Sequence, residues 1–565
     1  MATTSIPGLI SKVVPKPLRR WVRREETECS KERAHRSKSK SLQAFGDFFV
    51  RENRSTGIKA ERPSKYTSFT LSEDFKREAE KVYVTKLINS ATWKMDLRLL
   101  PIMALFYFLS ELGRLSINNI RSIGLQSDLK TDDSQYALSL IVNLIPLILV
   151  EIPSNFIMRR IGARIFFPLI LTISGLVIFL HGFLSNFSGL LVARFFAGLV
   201  NGGLFPGFLL YLSSFYTRAE LQWRIALFYC TGCFAGGLSG SFSYAITRLD
   251  GTLGLAGWAW VFIVDGILTI LGGSLGFVMF PASPDDSHFL TVDEKQAVSE
   301  RLHRDLSPVT GGNLLDAKPF RSSGFQISQA ILSPHVGLCC LAFFFAGTNV
   351  TSLTYLQSSI LNSYGHAPSV SQALSIPPYA LAILTVLLSS YLSDRYQCRA
   401  MASVVSGGVT AIGYSMLYIS DDSSLKYGSL LLTVIGSYGV IPCLAAWMSN
   451  NSEPYARKAT SLALGPIAAN FGGLIATLLF PTPDQSSFNT AIMVNIVFAM
   501  LVILSCLANL GYLTYVGAVK IHRRDEVLQH YALNDQTVDQ SVQELLYLNG
   551  WEYLGDRHPD FKYSF

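Results

Sequence analysis

Twelve runs of about 20 mostly apolar residues run through this chain, and a run of that length crosses a bilayer as a helix. They fall at roughly 98–120, 136–157, 165–185, 189–213, 224–246, 258–280, 334–356, 373–392, 400–420, 427–448, 459–480 and 490–516. Six precede a polar stretch and six follow it. Each boundary coincides with a charge or turn cluster, such as Arg159-Arg160-Ile161-Gly162 or Ser393-Asp394-Arg395. Of the 565 residues only 15% are charged, against about 25% in an average soluble chain, which excludes a multidomain soluble enzyme. The expected fold class is an all-α membrane protein with twelve transmembrane helices in two six-helix halves.

Basic residues in short loops are retained on the cytoplasmic side. With the N-terminus inside, the inner loops hold fourteen, among them Arg159, Arg160, Arg218, Arg395 and Arg457, whereas the outer loops hold four, Arg121, Lys130, Arg248 and Lys426. Both termini are therefore expected in the cytoplasm, and no cleavable signal peptide is expected, because the first long apolar run starts near residue 98. The net charge of +7 is local: residues 1–96 carry 21 Lys and Arg against 12 Asp and Glu. The chain divides into a basic, mostly disordered cytoplasmic tail (1–96), an N-terminal six-helix half (97–280), a central cytoplasmic loop (281–333), a C-terminal six-helix half (334–516) and a cytoplasmic C-terminal tail (517–565). In the loop, Thr291-Val292-Asp293-Glu294 reads as a capping box that starts a surface helix running to Arg304. Lys12 to Arg24 mixes apolar and basic residues and would suit an anionic leaflet, although a solvated tail is the plainer reading.

A charge at the bilayer centre costs about 2.5–3.5 kcal/mol on insertion scales, so each ionisable group inside a run needs a partner or a water-filled cavity. Glu111 and Arg114 share a helix face at i, i+3 and are expected to pair; Glu151, His181, Arg194 and Asp265 lie in the second, third, fourth and sixth runs. Function is the default reading for such groups, and it is adopted for Arg114, Glu151 and Arg194. His181 and Asp265 lie near outer helix ends, where headgroup water would solvate them. The second half offers neutral groups instead: Asn349, Thr351, Thr354, Tyr355, Tyr379, Tyr438 and Asn470. Charge in one half and neutral hydrogen bonds in the other suit a site between the two. Glycine stripes, Gly198-Gly202-Gly203-Gly207 in the fourth run and Gly232-Gly236-Gly237-Gly240 in the fifth, offer faces for close helix approach. Cys230-Thr231-Gly232-Cys233 has CxxC spacing but no second pair or His partner, so neither metal nor cofactor is expected.

The run RFFAGLVNGGLFPGFLLYLSSFYTRAE (Arg194–Glu220) resembles the fourth helix and following loop of the fungal allantoate permease family, in the anion:cation symporter branch of the major facilitator superfamily. RIALFYCTGCFAGGLSGSFSYAI (Arg224–Ile246) and LDGTLGLAGWAWVFIVDGILT (Leu249–Thr269) are similar to that family's fifth and sixth helices. PSNFIMRRIGAR (Pro153–Arg164), NNSEPYARKATSLALGPIAANFGG (Asn450–Gly473) and the terminal GDRHPDFKYSF (Gly555–Phe565) extend the likeness. The resemblance implies a major facilitator fold working by alternating access. It also marks two departures: Gly113 and Asn201 stand where the family usually has carboxylates, while Glu151, in VEIPSN, matches its pattern.

The expected function is secondary transport of a small organic, carboxylate-bearing solute, and the resemblance implies import by proton symport as the leading version. Export of a metabolite and a non-transporting nutrient sensor of the same fold are the alternatives; an enzyme is not expected, since no nucleophile–base pair lies in the runs. Arg114, Asn118, Arg194, Asn201, Asn349, Tyr355 and Asn470 are the candidate solute-binding residues, and Glu151 and Glu111 the candidate proton carriers. Asn155 with Arg160, and Asp394 with Arg395, occupy equivalent inner-loop places in the two halves and are expected to gate, by bonding free helix-end amides or clasping carboxylates. The expected partners are an anionic solute, protons and the lipid bilayer, with no nucleic acid, for a monomer in the plasma membrane.

Overall fold

The structure, a computed structural model, describes residues 67–120, 124–281, 283–306, 323–363, 374–420, 422–479, 485–524 and 554–565. Tyr83–Phe565 form one compact unit. The longer described helices, in chain order, are α1 (Thr67–Ile120), α2 (Asp133–Ile161), α3 (Ala163–His181), α4 (Phe187–Asn201), α5 (Leu204–Leu212), α6 (Leu221–Ile246), α7 (Gly257–Met279), α8 (Val292–Leu306), α9 (Ser323–Ile331), α10 (Pro334–Ser363), α11 (Ile376–Tyr396), α12 (Arg399–Ile419), α13 (Ser423–Asn450), α14 (Tyr455–Leu479) and α15 (Gln485–His522). Counting α4 and α5 as one crossing bent at Gly202-Gly203, and setting aside α8 and α9, twelve are long and apolar enough to span a membrane. Each of the twelve expected runs overlaps one of them.

Lipid removes the hydrophobic driving force between helices, so close packing has to hold the bundle together. A Cβ on Gly198 of α4 would lie 1.9 Å from the Asn143 carbonyl oxygen of α2, and one on Gly472 of α14 would lie 2.1 Å from the Phe344 carbonyl oxygen of α10. Only glycine admits such backbone approach. In the first half α3 packs on α7 and α2 on α4; in the second, α12 packs on α13 and α15, and α10 on α14. Between halves α6 meets α11 and α13, and α2 meets α14. Leu149, Leu271, Val278, Leu384 and Leu504 are exposed on the outside, where lipid chains would meet them.

The reading of residues 1–96 as mostly disordered is corrected from Thr67 onward, because α1 begins there. Ala91, Met95 and Leu99, spaced at i, i+4 and i+8, are buried and give this extension an apolar stripe. Polar anchors add to it: Glu294 accepts from Ser90 and Lys94, both at 2.8 Å, and Asp96 takes Arg224 at 2.8 and 2.9 Å. The capping box forms as read, with Thr291 N donating to Glu294 Oε2 at 2.9 Å and Glu294 N to Thr291 Oγ1 at 3.3 Å. Burial alone would raise the Glu294 carboxyl, but Lys94, Thr291 and Ser90 outweigh it and hold it below the usual carboxylate range.

Candidate solute pathway between the two halves

The α2–α14 seam carries a polar contact at each level. Asn470 Nδ2 donates to Glu151 Oε1 at 2.7 Å. One turn further along α2, Asn155 Nδ2 donates to the Ala459 carbonyl at 2.8 Å, and Arg159 lies over the Tyr455 ring, 4.7 Å from its centroid. The sequence reading treated Glu151 as a proton carrier and Asn470 as a solute ligand; the fold joins them across the halves. Glu151 is 2% exposed, and among the described residues its Oε2 has no hydrogen-bond partner.

The α6–α11 seam closes at the same, basic end of the bundle. Asp394 accepts from the Trp223 backbone N–H at 2.8 Å, thereby taking one of the free amides of the first turn of α6. Its other oxygen takes Arg399 Nη2 at 3.2 Å, and that nitrogen also reaches the Arg218 carbonyl at 2.5 Å. Ser393 Oγ donates to Gln222 Oε1 at 2.7 Å, Gln222 Nε2 reaches Cys443 Sγ at 2.9 Å, and Asn450 Nδ2 donates to the Arg218 carbonyl at 3.0 Å.

The C-terminal segment 554–565 lies over this end and grips both halves. From the second half, the Phe565 carbonyl accepts from Arg399 N at 2.7 Å and the Ser564 carbonyl from Trp447 Nε1 and Asn451 Nδ2, both at 2.9 Å. Asp556 is ion-paired with Arg457. From the first half, Arg218 lies 4.8 Å over the Phe561 ring. Burial pushes the His558 ring down to about 4.

At mid-height the halves meet through rings. Tyr107 of α1 lies 5.8 Å from Phe205 of α5 and 6.2 Å from Tyr229 of α6; Tyr229 lies 6.5 Å from Tyr438 of α13, which lies 6.0 Å from Tyr379 of α11. The glycine stripe of α6 admits them: a Cβ would fall 2.6 Å from the Tyr107 ring at Gly232 and 2.5 Å from the Tyr379 ring at Gly236. Arg114 sits two turns along α1 from Tyr107, away from the basic end. Its Nη2 and Nε donate to Glu111 Oε2 at 2.6 and 3.0 Å, and its side chain is 52% exposed.

The remaining expected residues scatter. Arg194 is 4% exposed and so does not front open space in this conformation; among the described residues its Nε and Nη2 have no hydrogen-bond partner. Asn201 accepts from Ser174 of α3 at 2.9 Å and so engages its own half. Asn349 is buried, and the Tyr355 hydroxyl lies 3.2 Å from that of Thr477. The Asn118 side chain lies outside the described residues. Arg160 is exposed, and Arg395 reaches Tyr391 on its own helix at 3.1 Å, so neither crosses the seam as Asn155 and Asp394 do. The expectation of headgroup solvation for His181 and Asp265 is corrected: they are 2% and 0% exposed, because α3 and α7 pack face to face around them. Sequence reasoning missed Gln222, Arg218 and the C-terminal segment as seam residues. The aromatic alternation Phe561, Tyr563, Phe565 was the available signal for the segment.

The family model of the Major Facilitator Superfamily matches residues 103–477. An uncharacterized transporter of Schizosaccharomyces pombe is 29% identical over 70% of this chain and 78% of its own length. The high-affinity nicotinic acid transporter of Saccharomyces cerevisiae is 24% identical over 84% of each chain. Among solved structures, the proton:xylose symporter XylE superposes with a TM-score of 0.57 at 16% identity, over 74% of this chain and 95% of its own, a likeness of fold alone.

Proposed function

Since the chain belongs to the major facilitator superfamily and is a membrane transporter, not an enzyme, we propose that it imports a small carboxylate-bearing organic solute together with protons. In this reading it is a monomer of the plasma membrane, with both termini cytoplasmic and the basic end facing the cytoplasm. The state described is then closed inside. The observation that carries the reading is Arg114, a guanidinium half exposed within a membrane-spanning helix and bonded to Glu111. The planar fork of Arg suits a carboxylate, and the half-buried ring of Tyr438, backed by the buried rings of Tyr107 and Tyr229, offers apolar surface to the rest of an organic anion. The nicotinic acid specificity named for the yeast relative is compatible with that chemistry.

Competition supplies the coupling. A solute carboxylate docking on Arg114 meets Glu111 on the same guanidinium, and two carboxylates side by side repel unless one is protonated. Solute binding therefore favours proton uptake at Glu111. Glu151 acts at the seam: as a carboxylate it accepts from Asn470, and protonation weakens that bond between halves, easing their separation at mid-height. Alternating access then follows from parting α2 from α14 and α6 from α11.

The test is uptake by the full chain in proteoliposomes, screening labelled nicotinate, pantothenate, biotin and allantoate with and without an inward proton gradient. We expect one carboxylate to accumulate with the gradient, and Arg114→Ala to abolish that uptake at normal expression. Accumulation only of neutral or cationic solutes, or undiminished carboxylate uptake by Arg114→Ala, overturns the reading.

A further inference from the structure

Asp265 is a carboxyl that this cycle does not use. It lies on α7 and is 0% exposed. On α1 it faces Gly113, where a Cβ would fall 3.3 Å from Asp265 Oδ2, and Ser116. On α3 the nearest titratable group is His181, whose Nδ1 is on the Val177 carbonyl at 2.7 Å and whose ring rests against Phe262. Glu111 and Arg114 of α1 are engaged with each other, Arg224 of α6 is held by Asp96, and Arg248 beyond α6 is exposed. Among the described residues no cation reaches Asp265. A bare carboxylate sealed in such surroundings is strongly disfavoured.

The hydrogen bonds around it favour the neutral acid over the carboxylate. Ser116 Oγ lies 2.8 Å from the Leu112 carbonyl and 3.3 Å from Asp265 Oδ2. A hydroxyl has one proton to donate, and the shorter contact, to a carbonyl that can only accept, takes it. The Ser116 lone pairs then face Asp265 Oδ2, an arrangement that is repulsive toward a carboxylate and favourable toward a carboxylic acid that donates. Among the described residues neither Asp265 Oδ1 nor the buried Thr269 hydroxyl one turn along α7 has a hydrogen-bond partner.

We propose that Asp265 is a second proton-binding site of the transporter, separate from Glu151, holding its proton between Oδ2 and Ser116 Oγ in this conformation and exchanging it during transport. In the release step the carboxyl O–H bond breaks, the proton leaves on a water admitted as α1 shifts against α7, and the carboxylate keeps the electron pair; loading is the reverse. The exchange rests on the proton-coupled reading above, but occupancy of the site does not, and the experiment separates them.

Infrared spectroscopy of the purified full chain in lipid, titrated with pH and without solute, reads occupancy directly. We expect a protonated-carboxyl C=O band that fades as pH rises, is absent in Asp265→Asn, persists in Glu151→Gln, and moves in frequency in Ser116→Ala because its hydrogen-bond acceptor is gone. The Ser116 variant keeps the test alive if Asp265→Asn folds poorly. A band unaffected by either change at Asp265 and Ser116 overturns the site. A band that never titrates, together with wild-type gradient-driven uptake by Asp265→Asn, overturns the exchange and leaves a fixed neutral acid. Loss of uptake in every preparation with the titrating band intact refutes the transport reading alone.

Discussion

The basic end and the middle of the seam hold the same two halves together by different means. At the basic end, Asn155, Asp394, Arg399, Gln222 and Asn450 cross the interface, and the segment 554–565 overlies them. Several of these bonds end on backbone carbonyls or amides, which cannot be titrated. At mid-height Glu151 and Asn470 form a polar bond across α2 and α14, and among the described residues rings of Tyr107, Tyr229, Tyr379 and Tyr438 meet there. On the proposed reading, a latch built of many such bonds would set how much work opening takes, whereas the bond to a carboxylate would let a proton decide when opening happens.

The comparison breaks most visibly at Glu151. Glu151→Gln keeps the size of the side chain and removes the charge, so gradient-driven accumulation should be lost while counterflow exchange of the same solute persists in reconstituted vesicles. Accumulation that still follows the proton gradient would remove Glu151 from the coupling.

Next in size is the C-terminal segment. Breaking a buried ion pair by removing one partner costs about 3–5 kcal/mol, and Arg457→Ala does this to Asp556. Cys443, fully buried beside Gln222, reports opening of this end when it is the sole cysteine retained. Its maleimide labelling should rise strongly in Arg457→Ala and as strongly when residues 554–565 are deleted. Equal labelling of parent and deletion would mean that the segment rests on the gate without fastening it.

A smaller and sharper effect is expected at the seam residues proposed to gate. Asp394→Asn leaves an oxygen for Trp223 N but removes the charge opposite Arg399, and hydrogen bonds to charged groups contribute about 1.5–3 kcal/mol. Cys443 labelling should rise modestly. Arg160→Ala, altering an exposed side chain outside the seam, should leave it unchanged, and equal responses of the two variants would dissolve the distinction drawn between them.

The smallest effect concerns the anchor of α1. The Glu294 carboxyl is depressed by Lys94, so its contribution is fully present above the ordinary carboxylate range near 4.3 and fades as pH falls through its lower folded value. Proteolysis within α8 should accelerate on acidification through that window, and Glu294→Gln should remove the acid dependence.

Much of this was legible because it rests on local rules. The capping box at Thr291–Glu294 is four residues long, and the pairing of Glu111 with Arg114 follows from helical spacing. The start of α1 was missed for want of weight given to a short signal: Ala91, Met95 and Leu99 repeat every four residues, but Lys94 and Asp96 between them resemble a solvated tail until their partners on α8 and α6 are known. His181 and Asp265 were misjudged for a related reason. Depth along a helix can be counted in sequence, but the direction a side chain faces, into a cavity or between packed helices, depends on neighbours hundreds of residues away.

What the sequence determined by itself is the class of molecule: twelve apolar runs leave the backbone no option in lipid except helices that satisfy their own hydrogen bonds, and the run of charged residues in the first half marks where chemistry is possible. Only the tertiary structure decided which of those residues meet. Glu151 and Asn470 are 319 positions apart, and Asp394 finds Trp223 across 171. Helix formation is dictated residue by residue, but the pairing of helices is set by glycine faces and ring shapes on surfaces that exist only once both halves have folded.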